Sequence, residues 1–119
     1  MEKLVTASGN PLSFVGLGTY PLQGEAIAAN VERAVRLGYN VIDTADDYRG
    51  ETGIGMAVAK GAFKREDVCL QTKISNDTAY ADEPLAGRFF NQYTPVMKRH
   101  SVDEIVREKV HISLREMKT

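Results

Sequence analysis

Residues 39–48 read YNVIDTADDY, a short apolar run that ends in three acids and a phenol. An apolar run of this length is typical of a buried strand, and the polar cluster falls where that strand would leave its sheet. In parallel α/β sheets, catalytic and binding groups collect at the carboxyl ends of the strands. The segment therefore predicts an α/β fold with a functional site just after Ile42.

Strands and helices alternate on both sides of this segment. The pattern predicts, in order, a β-hairpin from runs 3–6 and 12–15, a strand over 14–18, a helix over 25–37, a strand over 39–43, a helix over 52–60 and a strand over 68–72. The second helix is rich in small residues, as expected of a helix held close to a sheet: Gly53, Gly55, Ala57 and Ala59. Strands that alternate with helices indicate a parallel sheet with right-handed crossovers.

The regular pattern breaks after the third strand of this series. Residues 74–100 predict a long irregular connection, which three aromatic residues pin down in part: Phe89, Phe90 and Tyr93. Ser101 and Glu104 then form a capping box that begins a last helix. The apolar residues of this helix make one stripe over four turns: Val102, Ile105, Val106, Val110, Leu114 and Met117.

The composition limits the class of protein and its partners. Hydrophobic residues make up 43% of the chain and charged residues 26%, which are ordinary globular values, so we expect a single domain over residues 1–119. The 15 basic and 16 acidic residues nearly cancel, and without a basic patch we expect no nucleic-acid partner.

The sequence also bears on membrane association and on the single cysteine. No apolar stretch approaches the roughly 18 residues of a membrane span, and the first residues lack the apolar segment of a signal peptide. We therefore expect a cytoplasmic protein without a membrane partner.

Cys69 is the single cysteine and lies in an apolar run, where we expect a buried, unreactive thiol.

Residues that could bind a ligand or transfer a proton lie at the ends of the three predicted parallel strands. Gly18, Thr19 and Tyr20 end the first, Asp43 and Tyr48 follow the second, and Lys73 closes the third. If the strands are parallel, these groups face one end of the sheet. An ammonium group near a phenol favours the phenolate and so strengthens the phenol as an acid, and a carboxylate beside the ammonium would orient it. The set predicts a site for proton transfer.

Three segments of the chain closely resemble the aldo-keto reductases. They are GLGTY at 16–20, LGYNVIDTADDY at 37–48 and REDVCLQTK at 65–73. The joint motif is specific, because the three segments match in order and at the right spacing. The resemblance covers about residues 3–75, and the last helix more loosely.

The resemblance implies a fold, a reaction and roles for named residues. The fold would be a partial (β/α)8 TIM barrel, made of the N-terminal hairpin plus about three β/α units. The reaction would be NADPH-dependent reduction of an aldehyde or ketone, with a small carbonyl compound as substrate. By resemblance, Tyr48 matches the general acid, Lys73 the residue that tunes it, and Asp43 the carboxylate paired with that lysine. Asp43 also matches a contact to the nicotinamide ribose, and Gly18, Thr19 and Tyr20 match the loop beside the nicotinamide.

The chain departs from the family pattern at two points. Where the family usually has Asn before Glu51, this chain has Gly50, a change expected to loosen the turn after Tyr48. The family's catalytic histidine ends a fourth strand and would fall after Thr119, and we expect His100 and His111 to be structural or exposed instead. Since a full barrel needs about 250 residues, we expect a truncated chain that lacks most of the cofactor site and is inactive or nearly so.

Two other interpretations were weighed against this one. A Mg²⁺ or Ca²⁺ cluster of Asp43, Asp46, Asp47 and Glu51 is disfavoured because the spacing matches no known metal loop, so we expect no metal. Gly16 and Gly18 lack the third glycine of a dinucleotide fingerprint. The alternative function is a non-enzymatic half-barrel that forms a homo-oligomer through its exposed sheet edges.

Overall fold

The computed structural model of the protein describes residues 3–74 and 102–119. The described strands are β1 (Lys3–Val5), β2 (Pro11–Ser13), β3 (Leu17–Gly18), β4 (Val41–Asp43) and β5 (Cys69–Gln71). The described α-helices are α1 (Gly24–Arg36), α2 (Glu51–Ala59) and α3 (Val102–Met117). This order confirms the predicted alternation, although each strand is shorter than the run that predicted it.

The three strands β3, β4 and β5 form one parallel sheet with β4 in the middle. Gly18 lies opposite Asp43 in the first pairing, and Asp43 lies opposite Gln71 in the second. The helices α1 and α2 connect successive strands. In the part of the chain that the structure describes, the sheet is an open arc whose outer strands are β3 and β5.

The antiparallel hairpin of β1 and β2 is attached to this sheet through Asn40. The Asn40 Oδ1 atom accepts a hydrogen bond of 2.7 Å from the Ser13 backbone N–H, and Nδ2 donates to the Pro11 carbonyl at 2.7 Å. The Asn40 backbone N–H in turn donates to Ser13 Oγ at 3.1 Å. Because both side chains are buried, these bonds satisfy polar groups that would otherwise be costly to desolvate.

The core lies between the sheet and the inner faces of the helices. Apolar spacing along α1 buries Ile27 and Val31, which pack with Ile42 of β4 and Ile54 of α2. Each of these four side chains is at most 1% exposed. Full burial of a side chain of this size stabilises the fold by about 1.5–3 kcal/mol, so this cluster fixes both helices on the sheet.

Two glycines of α2 allow close contact with neighbouring helices. A Cβ at Gly53 would lie 2.7 Å from Ile27 Cβ and 2.8 Å from the Gly24 carbonyl oxygen, both of which belong to α1. A Cβ at Gly55 would overlap the Glu116 carbonyl oxygen in α3. The glycines therefore let α2 approach two other helices closely, a contact that the sequence did not indicate.

The helix α3 buries only part of the apolar stripe that its sequence presents. Of the stripe residues whose burial the structure describes, Met117 is buried, whereas Val106, Val110 and Leu114 are 37–41% exposed. The other buried residues described in this helix are Lys109, Ile112 and Ser113. The helix therefore turns a lysine inward, and it approaches α2 closely at Gly55.

Cys69 is exposed, which corrects the prediction of a buried thiol. It lies in β5, where successive side chains point to opposite faces, and Leu70 takes the side that packs against the core. An apolar run can indicate a strand, but the run itself does not tell which face each residue takes.

Several predictions lie outside the described residues. These are the irregular connection over 75–100 with its three aromatic residues, the cap at Ser101 and the position of His100. Among the described residues, no helix combines the length and the apolar character that crossing a membrane requires.

Candidate active site

The parallel ladder continues past the strand ends and gathers the predicted residues at one edge of the sheet. The Thr19 N–H donates to the Asp43 carbonyl at 3.0 Å, and the Thr44 N–H donates to the Gln71 carbonyl at 2.8 Å. One step further, the Asp46 N–H donates to the Lys73 carbonyl at 3.0 Å. The backbone therefore aligns the segments after β3, β4 and β5, as the sequence predicted.

Lys73 and Asp43 form an ion pair at this edge. Lys73 Nζ lies 2.8 Å from both carboxylate oxygens of Asp43 and donates a third bond of 2.6 Å to the Thr44 carbonyl. The side chains are 43% and 36% exposed, so water screens the pair and it contributes little stability. Its evident effect is geometric, because three acceptors hold the ammonium in one place.

Tyr48 stands on a short 3-10 turn, Asp46–Tyr48, that follows β4. The turn is closed by the Arg49 N–H, which donates to the Asp46 carbonyl at 3.2 Å, and Arg49 adopts a left-handed conformation with φ of 55°. Lys73 Nζ lies over the Tyr48 ring, 5.3 Å from its centroid, within the range of a cation–π contact. A phenol, an ammonium and a carboxylate thus lie together, which is a chemically competent set for proton transfer.

The residues predicted to lie beside a nicotinamide differ in their exposure. Tyr20 is 71% exposed, and its ring lies 5.2 Å from the Tyr48 ring at an angle of 57°. Gly18 is exposed, and a Cβ built there would have no atom within 4 Å. Thr19 is buried, and its hydroxyl pairs with the Thr44 hydroxyl at 2.8 Å. The Thr19 N–H and carbonyl are also occupied, by the Asp43 carbonyl and the Leu22 N–H, so Thr19 holds this segment in place and Gly18 and Tyr20 form its exposed part.

Gly50 is a tightly packed position beside that threonine pair. A Cβ there would overlap Thr44 Oγ1 and would lie 3.0 Å from Thr19 Oγ1. Gly50 is buried and immediately precedes α2. The expectation of a looser turn was therefore wrong, because the missing side chain is compensated by close packing of the two hydroxyl groups.

Two polar contacts that support the site were not predicted. Thr72, adjacent to Lys73, donates a hydrogen bond of 2.6 Å to Glu51 Oε1, and Glu51 is only 2% exposed. Lys109 of α3 pairs with Asp46 at 3.0 Å. The acidic first turn of α2 was a visible signal for the first contact, whereas nothing in the sequence around Lys109 indicates its partner.

A polar cavity of about 510 Å³ lies beside the Tyr48 turn. It is lined by Gln23, Gly24, Asp46, Arg49, Glu51, Thr52 and Glu116. Burial raises the pKa of Glu116 above its usual value, the Glu51 carboxylate raises it further, and the guanidinium of Arg115 partly opposes both. Like charges therefore meet where α3 packs against α2.

The described residues contain no group of three His, Cys, Asp or Glu side chains that could hold a metal ion. Asp43 is paired with Lys73, and Asp46 with Lys109, so these two carboxylates are directed toward ammonium groups. His111 lies on the exposed side of α3.

Comparison with known proteins gives a consistent match. A model of the aldo/keto reductase family matches residues 15–119. The chain is 35% identical over 69 residues to methylglyoxal reductase DkgA of Escherichia coli, and the aligned region covers 58% of this chain and 25% of that protein. It is 38% identical over 84 residues to an aldo-keto reductase of Mycolicibacterium smegmatis, and the aligned region covers 71% of this chain and 30% of that protein. The chain thus spans about a quarter to a third of the length of these relatives.

A solved structure agrees with these matches. The crystal structure of an aldo/keto reductase from Brucella melitensis superposes with a TM-score of 0.67 and 24% identity, over 99% of this chain and 37% of that one. This likeness confirms the predicted fold, an α/β chain that forms part of a (β/α)8 barrel. The family match confirms the resemblance drawn from the three sequence segments.

Replacing Gly50 by Ala should destabilise the protein by roughly 1–3 kcal/mol, because the added methyl group overlaps the hydroxyl of Thr44. Urea denaturation followed by circular dichroism measures the loss. In a Thr44→Ala background, Gly50→Ala should lower the free energy of unfolding by clearly less, because the Thr44 hydroxyl oxygen that obstructs the methyl group is gone. Thr52→Ala, an exposed change two residues away, serves as the control and should stay within about 0.5 kcal/mol. Equal costs for Gly50→Ala in both backgrounds would contradict the packing argument.

Glu116→Gln should stabilise the protein near pH 7, and the gain should shrink as the pH falls. The raised pKa means that the folded state binds the proton more tightly than the unfolded state. The stability that the protonated Glu116 carboxyl contributes is therefore fully present below the pKa it has in the unfolded chain, and it is lost as the pH rises through its higher pKa in the folded protein. Urea midpoints of both proteins at pH 7.5 and pH 4.5 measure the difference, with the exposed Glu66→Gln as control. A gain that is equal at both pH values would refute this account.

Proposed function

Because the chain belongs to the aldo/keto reductase family, we propose that it carries the proton-donating part of a site that reduces a small aldehyde or ketone with NADPH. The observation that carries the proposal is the convergence of three side chains from two strand ends. Lys73 contacts the Asp43 carboxylate at 2.8 Å and lies 5.3 Å from the centre of the Tyr48 ring.

In the proposed reaction, Tyr48 donates its phenolic proton to the carbonyl oxygen of the substrate. The Lys73 ammonium stabilises the phenolate that remains, and Asp43 orients the ammonium. Solvent then returns the proton to Tyr48. Tyr48 is half-buried, so part of its side chain remains exposed to solvent in the described residues.

The residues around this edge fit a nicotinamide cofactor. Gly18 presents open space, Tyr20 an exposed ring and Asp43 a partly exposed carboxylate, so we propose that they hold the nicotinamide and its ribose. Thr19 would support this loop from beneath, since its hydroxyl is bonded to Thr44 and its N–H to the Asp43 carbonyl. A bound NADPH would supply the hydride for the carbonyl carbon and would itself be oxidised to NADP⁺.

A small 2-oxoaldehyde is the proposed substrate class. This proposal draws on the relatives, since the matched protein of Escherichia coli is a methylglyoxal reductase. We expect slow turnover from the 119-residue chain, because the described residues place no histidine beside Tyr48. A sensitive assay is therefore required.

Tyr48→Phe should reduce NADPH-dependent reduction of methylglyoxal by at least about 100-fold, because the phenylalanine has no proton to donate. The measurement is NADPH oxidation at 340 nm with millimolar substrate and a high protein concentration. Tyr39→Phe makes the same chemical change before β4 and should leave the rate unchanged. A wild-type chain without turnover, or turnover that survives Tyr48→Phe, would count against the proposed function.

A second candidate is self-association through the sheet edges. In the described residues, β3 and β5 have one neighbouring strand each, and such edges pair readily with another chain. Apolar side chains in and after the hairpin are also 52–70% exposed: Leu4, Val5, Phe14 and Val15.

Light scattering coupled to size-exclusion chromatography should therefore show dimers or larger species at about 100 μM protein. The exposed Cys69 could link chains covalently, so Cys69→Ser is the matched control and should assemble equally well. A monomer at this concentration would exclude the second candidate.

A further inference from the structure

We infer that Lys109 is a positioning residue for Tyr48, which it holds through a buried ion pair with Asp46. Lys109 Nζ lies 3.0 Å from Asp46 Oδ2, and the two side chains are only 4% and 7% exposed. The pair connects α3 to the turn that carries Tyr48. The inference rests on the proposed function, because it concerns the placement of the proposed proton donor.

Burial separates this pair from the other ion pairs of the described residues. On the same helix, Arg107 and Asp103 also form a pair, but their side chains are 74% and 75% exposed. A lysine ammonium that is withdrawn from water requires a compensating charge, and a carboxylate at 3.0 Å supplies it. Lys109 and Asp46 therefore constrain each other's position, whereas the exposed pair can separate at little cost.

Asp46 is a junction of three contacts. Its backbone N–H donates to the Lys73 carbonyl at 3.0 Å, and its own carbonyl accepts from the Arg49 N–H at 3.2 Å. Its carboxylate meets Lys109. The first contact ties the turn to the strand end of Lys73, the second closes the turn, and the third fixes it to α3.

Tyr48 lies only two residues beyond this junction, at the end of the turn. Its ring is 5.2 Å from the Tyr20 ring and 5.3 Å from Lys73 Nζ, and a movement of the turn would change both distances. Misplacement of a catalytic group by about 1 Å can lower a rate about 100-fold. The ion pair thus acts at a distance on the geometry of the proposed site.

The test uses the full chain with isotopically labelled tyrosine, so that nuclear magnetic resonance reports the Tyr48 ring directly. Tyr48→Phe assigns the signal. In Lys109→Met, the Tyr48 signals should shift and the contact between the Tyr48 and Tyr20 rings should weaken. Lys109→Arg, which keeps the charge, should preserve the wild-type signals. Arg107→Met, on the same helix and in an exposed pair, is the matched control and should leave them unchanged.

A double variant separates positioning from folding. Lys109→Met alone leaves a buried carboxylate without its ammonium and could unfold the chain, whereas Lys109→Met with Asp46→Asn removes both charges. The double variant should fold and still show displaced Tyr48 signals, because the neutral pair cannot hold the turn. Wild-type Tyr48 signals in the folded double variant would overturn the inference.

Kinetics supply an independent readout. With NADPH and methylglyoxal, the double variant should lower kcat at least tenfold and leave the KM for NADPH within twofold. An unchanged kcat in the double variant would also overturn the inference. If the wild-type chain shows no turnover, the proposed function fails, while the tyrosine signals still decide whether Lys109 positions Tyr48.

Discussion

The parallel pairing of β4 with both of its neighbours is the constraint on which the site depends. The hydrogen-bonded ladder runs beyond the strands, from the Thr44 N–H to Gln71 and from the Asp46 N–H to Lys73. These bonds fix the relative positions of the backbone at Asp43 and Lys73 before any side chain is considered. The ion pair between those residues is 36–43% exposed and is worth about 0–1 kcal/mol, so it orients the ammonium and does little to hold the fold together.

Close helix packing is the second requirement, and glycine makes it possible. Gly53 and Gly55 admit α1 and α3 on either side of α2, and Gly50 admits the hydroxyl of Thr44. Each position lacks room for even one methyl group. Because α2 begins just after the turn that carries Tyr48, its packing also determines where that turn can lie. A few small residues thus link the packing of the helices to the position of the Tyr48 turn.

The two lysine–aspartate pairs illustrate how solvent decides the role of a charge. Lys73 and Asp43 remain in contact with water, which screens the attraction between them. Lys109 and Asp46 are almost fully withdrawn from water, and breaking such a pair by removing one partner typically costs about 3–5 kcal/mol. The exposed pair can rearrange at little cost, whereas the buried pair fixes the relative positions of its two side chains. Both meet at Asp46, where the backbone joins Lys73 and the side chain joins Lys109.

The sequence alone determined the order of strands and helices, the parallel sheet and the edge at which Asp43, Tyr48 and Lys73 meet. These features follow from local periodicity and from the rule that parallel strands present their carboxyl ends together. It also indicated the family, because three short segments match in order. Only the tertiary structure decided that Cys69 is exposed and that α3 turns Lys109 inward while Val106, Val110 and Leu114 of its apolar stripe stay partly exposed. These outcomes depend on which surfaces meet across distant parts of the chain, and local periodicity carries no information about that choice.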